Sequence, residues 1–297
     1  MKKLIVSTLG CIMVLVACST ATPNFDQDKA FAHITAQCAF GPRNPGSDGI
    51  ELCRDYLISA LKVLGATVTE QPFVASVQQD SVAGTNIIAS FYPQMSRRIL
   101  LGAHYDTRPW ADKDPDASLH NNPIPGANDG ASGVAVLLEI ARVVSRTQPQ
   151  QFGLDIVFFD LEDSGSYGDN ISWCLGSQYF ADNMPINEPE KAIIVDMIGD
   201  KNQNIHMDYF SYHNHPILVK ELWETAHELG FNSFKSTIKQ AIFDDHYPLI
   251  QKGINAAVII DFDYPLWHTM ADEPSACSPA SLEAVGETLL HIIYATQ

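Results

Sequence analysis

A few unbroken apolar runs constrain this chain more than any other feature. Ile156-Val157-Phe158-Phe159 and Val258-Ile259-Ile260 have no polar side chain to turn toward water. Such runs suit strands covered on both faces, as in the middle of a parallel sheet, rather than half-exposed strands that alternate. Strand-like runs recur at Ala66–Phe73, Thr85–Tyr92, Arg98–Tyr105, Leu154–Leu161, Lys191–Ile198, Asn204–Tyr209 and Ala256–Phe262. Helical periodicity covers 28–40 and 48–64, where Leu52, Tyr56, Leu57, Leu61 and Leu64 are expected to share a face and Gly65 offers a stop. It returns at Ala131–Thr147, Pro216–Leu229 and Ser281–Tyr294. The alternation predicts an α/β fold, a three-layer single domain with a central mixed, largely parallel sheet and helices on both faces.

The chemistry collects where those runs stop. Arg98–Ala103 runs into His104-Tyr105-Asp106, Ile156–Leu161 into Glu162-Asp163, and Ile193–Val195 into Asp196, while Val258–Phe262 precedes Trp267-His268-Thr269. Asp129 lies within Gly126-Ala127-Asn128-Asp129-Gly130-Ala131-Ser132-Gly133, just before a helix. Taken singly, a His after a strand is a hydrogen-bonded structural residue and an Asp before a helix is an N-cap. Together they fall where sheets of this kind carry their sites, at the carboxyl ends of strands. Buried carboxylates without partners are expensive. A divalent cation would keep several ionised together, and His with carboxylates but no Cys suits zinc with an open coordination position.

Composition narrows the partners. The 297 residues carry 18 Lys plus Arg against 35 Asp plus Glu, a formal charge of −17 with no basic run. Nucleic acid is therefore excluded as an expected partner, whereas a free α-amine would be attracted. Lys2 and Lys3 precede an apolar stretch, Leu4–Val16, that is too short to span a bilayer and ends in Leu15-Val16-Ala17-Cys18. Residues 1–17 read as a lipoprotein-type signal peptide with Cys18 as the lipidation site, residues 18–24 as a tether, and 25–297 as one catalytic domain. The expected protein is exported, periplasmic, membrane-anchored through Cys18, and monomeric. Cys38, Cys53, Cys174 and Cys277 remain, and in an oxidising compartment they permit three disulfide pairings that sequence does not choose among.

The motifs resemble a known family. His104-x-Asp106, the Asp129 glycine-rich segment, Phe-Phe-Asp-Leu-Glu162-Asp163, Asp196, Asp245-His246-x-Pro248-Leu249 and His268-Thr269 occur in the order seen in the zinc exopeptidases related to bacterial aminopeptidases. Within that family the chain is similar to the animal-type (type II) glutaminyl-peptide cyclotransferases, in three respects: a long Ser164–Gly176 segment after the acidic pair, Asp244-Asp245-His246 in place of Ser-Asp-His, and Trp267 directly before His268. The acidic pair departs from the family's usual Glu-Glu, and the shorter Asp arm requires a backbone shift. The resemblance implies Asp129, Asp163 and His268 as protein ligands of one zinc, with Glu162 as proton shuttle. It further implies a hydrogen-bonded acidic network of Asp196 and Asp245, and Trp267 and Trp173 as walls of the substrate pocket. The implied reaction closes an N-terminal glutamine into pyroglutamate with release of ammonia.

Two rival readings follow from the same residues. A two-zinc aminopeptidase would use His104, Asp129 and Asp196 for a second metal, Asp129 bridging. A lipid-anchored binding module on the same fold would lack catalysis, but the full ligand set beside Glu162 argues against it. His206, His213, His215 and His227 are expected to face solvent, and His120 to belong to a surface turn. Tyr209, Phe210 and Tyr212 could face substrate or core. Cys174 is expected to be disulfide-bonded or buried.

Overall fold

In the computed structural model, which describes residues 22–295, the unbroken runs become strands of a six-stranded mixed sheet, Ile156–Phe159 in its interior and Val258–Ile260, against expectation, on its edge. Residues 1–17 and Cys18 lie outside the described residues. In chain order the elements are α1 (Gln27–Ala39), α2 (Asp48–Val63), β1 (Thr67–Val77), β2 (Asp80–Phe91), β3 (Arg98–His104), α3 (Ala131–Arg146), β4 (Gly153–Phe159), α4 (Leu175–Asp182), β5 (Lys191–Asp196), β6 (Ile205–Met207), α5 (Tyr209–Asn214), α6 (Pro216–Glu228), β7 (Phe234–Ile238), α7 (His246–Gln251), β8 (Ala256–Ile260) and α8 (Pro279–Tyr294). The sheet runs β1-β2-β4-β3-β5-β8. β1 and β2 pair antiparallel, as do β2 and β4, while β4, β3, β5 and β8 run parallel.

Every residue of β3, β4 and β8 is buried. Successive side chains point to opposite faces, and both faces are covered. Ile99, Leu101, Ile156, Phe158, Ile193 and Ile259 join one core with Leu57 of α2, Val136 of α3, Leu222 of α6 and Leu289 of α8. Leu100, Val157, Phe159, Ile194 and Val258 join a second with Phe180 of α4 and Leu249 of α7. This is the expected three-layer arrangement.

Several local expectations change. Leu52 is 51% exposed, and the buried stripe of α2 is Ile50, Cys53, Leu57 and Leu61, one residue-step around the helix from the leucine spacing. The Asn204–Tyr209 run shortens to β6 and pairs with β7 in a separate two-stranded sheet, because Asp208 leaves the strand to cap α5 by accepting from Ser211 N. The β1–β2 hairpin extends well past the expected strand ends and turns at Gln78-Gln79, both with positive φ. Glutamines carry none of the Asn-Gly signal that marks such a turn in sequence. Cys38, Cys53, Cys174 and Cys277 are all free thiols. Cys53 and Cys277 pack into the first core, whereas Cys174 turns toward the site described below.

The amino ends of the central strands are locked by a buried ion pair. Arg98 on β3 donates from Nε to Asp155 Oδ2 at 2.5 Å and from Nη2 to Asp155 Oδ1 at 2.7 Å, and Ser90 Oγ adds a bond to Asp155 Oδ1. Breaking such a pair strands the other charge in the core. Asp155→Ala is expected to lower the unfolding free energy by about 3–5 kcal/mol in chemical denaturation; a loss below about 1 kcal/mol would show that the pair is dispensable.

Candidate metal centre and active site

Parallel strands deliver the polar residues to one edge. His104 and Asp196 are the last residues of β3 and β5, Glu162 and Asp163 follow the end of β4, Trp267 and His268 follow β8, and Asp129 precedes α3. The chain turns sharply at these points. Leu161, Met197 and His268 have φ of 56°, 47° and 57°. A non-glycine side chain in that left-handed region costs of order 1 kcal/mol, and residues of this kind gather at functional sites. Gly130 lets its loop lie against β3, since a Cβ there would come within 2.6 Å of the His104 carbonyl oxygen.

Two groups of three potential metal ligands result among the described residues: Asp129, Asp163 and His268, and His104, Asp129 and Asp196, with the donor atoms of each group within 4.8 Å of one another. Asp129 is shared. His268 Nε2 lies 3.0 Å from Asp163 Oδ1 and 3.6 Å from Asp129 Oδ2. His104 Nε2 lies 3.0 Å from Asp196 Oδ1 and 3.2 Å from Asp129 Oδ1. The residues fit a divalent cation. Asp129 Oδ2 and Asp163 Oδ2 are buried without a hydrogen-bond partner, and an imidazole with two carboxylates, open on one side to a cavity, is a donor set that zinc accepts.

The backbone around these ligands is held by further carboxylates and two arginines. Asp106 accepts from the amides of Glu162 at 3.1 Å and Asp163 at 3.2 Å. Asp272 accepts from the amides of Asn128 at 2.9 Å and Asp129 at 3.1 Å, and from Tyr264 Oη at 2.7 Å. Arg43, fully buried, donates to the carbonyls of Tyr105, Pro125 and Gly126 and so braces the Asp129 loop. Arg108 donates to the Asp163 carbonyl at 3.0 Å and forks onto Asp112.

A cavity of about 390 Å³ opens beside the ligands. Trp173, Trp267, Phe210, Ile242 and Phe262 form its apolar walls, and Asp129, Glu162, Asp163, Asp196, Asp244 and His268 its polar side. Of the residues expected from sequence, Glu162, Asp163, Asp196, Trp173 and Trp267 therefore meet at one place. Asp245 is fully buried and Asp244, not Asp245, lines the cavity. The hydrogen-bonded network expected of Glu162, Asp196 and Asp245 takes another form. Glu162 Oε1 accepts from the Cys174 thiol at 3.2 Å, Asp196 pairs with His104, and the acids act on one another through charge. Burial, joined by Asp163, Asp245 and Asp244 and opposed by His104, holds Glu162 well above the usual carboxylate range. Burial and Asp196 push Asp244 up to about 7. Burial works against charge on His104, but Asp196, Asp106 and Asp129 outweigh it and raise its pKa.

Other expectations divide. Phe210 faces the cavity, whereas Tyr209 is 46% exposed and stacks on His213. Tyr212 packs against the first core. His120 bonds the Asp114 carbonyl within its own loop. His227 is tied to the Phe234 carbonyl and His206 to Thr237.

Residues 86–293 match Peptidase family M28, and the chain belongs to that family. It is similar to the crystal structure of a leucine aminopeptidase precursor from Bacteroides thetaiotaomicron, at TM-score 0.91 and 37% identity over 93% of this chain and 99% of that one. It is equally similar to a glutaminyl cyclase from the same organism bound to N-acetylhistamine, at TM-score 0.90 and 37% identity over 93% of this chain and all of the other. A glutaminyl-peptide cyclotransferase of Boiga dendrophila is 23% identical over 83% of this chain and 75% of its own length.

The Asp272 cradle gives a direct test. Asp272→Ala removes the acceptor of three hydrogen bonds and frees the Asp129 loop. It is expected to cost about 2–4 kcal/mol in denaturant unfolding and to weaken zinc retention at least about tenfold. Unchanged zinc content after dialysis would rule the cradle out as support for the ligand.

Proposed function

We propose that this chain is a zinc-dependent glutaminyl-peptide cyclotransferase, acting on peptides and proteins that begin with glutamine. The observation that carries this is the position of Glu162. Its carboxyl lines a cavity walled by Trp173 and Trp267 and sits one residue from a metal ligand. Asp129, Asp163 and His268 would hold one zinc, because Asp129 Oδ2 and Asp163 Oδ2 are buried without a hydrogen-bond partner and both residues stand beside His268 Nε2. The His104 group has matching spacing, 3.0 Å from His104 Nε2 to Asp196 Oδ1 as from His268 Nε2 to Asp163 Oδ1. The choice of cyclisation over a two-zinc aminopeptidase rests on the tryptophan walls beside Glu162.

When bound, zinc supplies Lewis-acid polarisation of the γ-carbonyl. The protein does the rest. Carboxylates at the cavity edge attract the substrate's amine. The tryptophan walls hold the glutamine side chain folded back, so that the α-nitrogen lies against its own γ-carbon, and such positioning is worth several kcal/mol of barrier. Glu162 takes a proton from the attacking nitrogen as the new N–C bond forms. It then gives a proton to the amide nitrogen, whose C–N bond breaks, and ammonia leaves. The Asp244–Asp245 pair raises the basicity of Glu162 by crowding negative charge around it, and Asp196 acts in the same way on Asp244.

Glu162→Gln is expected to lower kcat for ammonia release from a short Gln-initiated peptide by about 10²–10⁴-fold while zinc content stays the same. A chelator should abolish the wild-type rate. Two zinc ions per chain together with turnover of aminoacyl chromogenic substrates would transfer the assignment to the peptidase.

Location belongs to the same proposal. Residues 1–17 direct export, Cys18 carries the lipid, and the catalytic domain faces the periplasm as a monomer. Among the described residues no helix is long and apolar enough to cross a membrane, so anchoring would fall to the lipid. Cys18→Ser should move the protein from the membrane pellet to the soluble fraction; continued sedimentation with membranes would contradict lipid anchoring.

A further inference from the structure

The imidazole of His268 lies against two aromatic rings. Trp173 stacks on it at 6.0 Å with an interplanar angle of 9°, and Trp267 packs at 4.0 Å and 36°. Flat apolar contacts of this kind do not distinguish a ring from the same ring turned over by half a revolution, because carbon and nitrogen edges present nearly the same shape. Yet only one orientation aims Nε2 at Asp129 and Asp163. Something must read the edge of the ring.

That reader is at hand. The hydroxyl of Tyr167 lies 2.9 Å from His268 Nδ1, whereas the nearest carboxylate to that nitrogen, Asp112 Oδ1, stands at 3.5 Å. We infer that Tyr167 is a positioning residue for the metal centre: its oxygen accepts the Nδ1–H of His268, which fixes the ring orientation and leaves the Nε2 lone pair for the metal. Ligating histidines commonly need such a partner at the second nitrogen. The inference rests on Asp129, Asp163 and His268 as the ligands.

The surroundings of Tyr167 are built to keep its hydroxyl in place. Its ring meets Trp173 at 5.6 Å and Trp267 edge-on at 6.3 Å. The Lys113 ammonium lies 4.2 Å above it and the Arg108 guanidinium 5.3 Å away. The loop that carries it is braced internally, with Ser172 Oγ accepting from Ser166 N and Trp173 Nε1 donating to the Ser166 carbonyl. Gly165 lets the loop lie flat on Trp173, since a Cβ there would come within 2.1 Å of the indole. One loop thus supplies a substrate wall, a stacking face for the ligand and the hydrogen bond that orients it.

The test is zinc affinity, measured by competition with a chromogenic chelator on the purified protein. Tyr167→Phe keeps the ring and deletes only the hydroxyl of a half-exposed side chain. It should weaken zinc binding by about tenfold or more, leave the unfolding midpoint of the metal-free protein unchanged, and regain lost activity when zinc is added in excess. A variant that binds zinc within about twofold of the parent overturns the inference. So does a variant whose metal-free form is destabilised and whose activity excess zinc does not restore. Asp112→Asn is the companion: if it weakens zinc binding while Tyr167→Phe does not, the carboxylate holds Nδ1 and the inference fails. A parent chain that takes up no zinc removes the ligand reading itself, which separates that failure from a failure of Tyr167 alone.

Discussion

Negative charge gathered away from water is the constraint around which this molecule is built. Asp106, Asp129, Asp163, Asp196, Asp244, Asp245 and Asp272 are each at most 8% exposed and lie along one edge of the sheet. A carboxylate there is tolerable only with donors or a cation at its oxygens. Asp106 and Asp272 are satisfied by backbone amides, Asp196 by His104 and the Asp163 backbone by Arg108. Among the oxygens left without a hydrogen-bond partner, those of Asp129 and Asp163 belong to residues that stand beside the His268 imidazole and mark where a cation fits. Asp244 Oδ2 and both oxygens of Asp245 are unpartnered as well, and there burial raises the pKa and favours the protonated form.

The same economy of donors ties the ligands to one another. Asp272 and His268 are four residues apart, and Asp272 captures the amides of Asn128 and Asp129, so the loop after β8 fixes both a histidine ligand and the shared aspartate. Asp106, two residues beyond His104, captures the amides of the acidic pair. Asp129 and Asp163 are therefore each positioned by a carboxylate that follows a different strand. The left-handed turns at Leu161, Met197 and His268 are the local cost of bringing backbone and side chain to the same edge. The parallel register of β3, β4, β5 and β8 is what makes that shared edge available.

Much of this was legible in the chain. Runs such as Ile156–Phe159 have no polar side to expose, so they had to be interior strands, and acids placed straight after them had to fall at one edge. Elsewhere the local pattern is ambiguous. Leu52 fits a leucine-only stripe but not the stripe that Ile50, Cys53, Leu57 and Leu61 make. The short helices α4, α5 and α7 have too few turns to show a period. The hairpin turn at Gln78-Gln79 has no residue that favours positive φ, and its strands are held by their pairing rather than by their own preference.

Sequence by itself determined the layer order, the edge at which the site forms and the residues that meet there, because periodicity and motif spacing are properties of contiguous residues. Only the tertiary structure decided which groups hold those residues in place: Tyr167 on the edge of His268, a hundred and one positions away, Asp272 under the Asp129 loop, Arg43 against Gly126, and the thiol of Cys174 on Glu162 rather than in a disulfide. Contacts between such distant positions depend on angles and distances set by the whole packed sheet. Neither partner's own neighbours in the chain carry any trace of them.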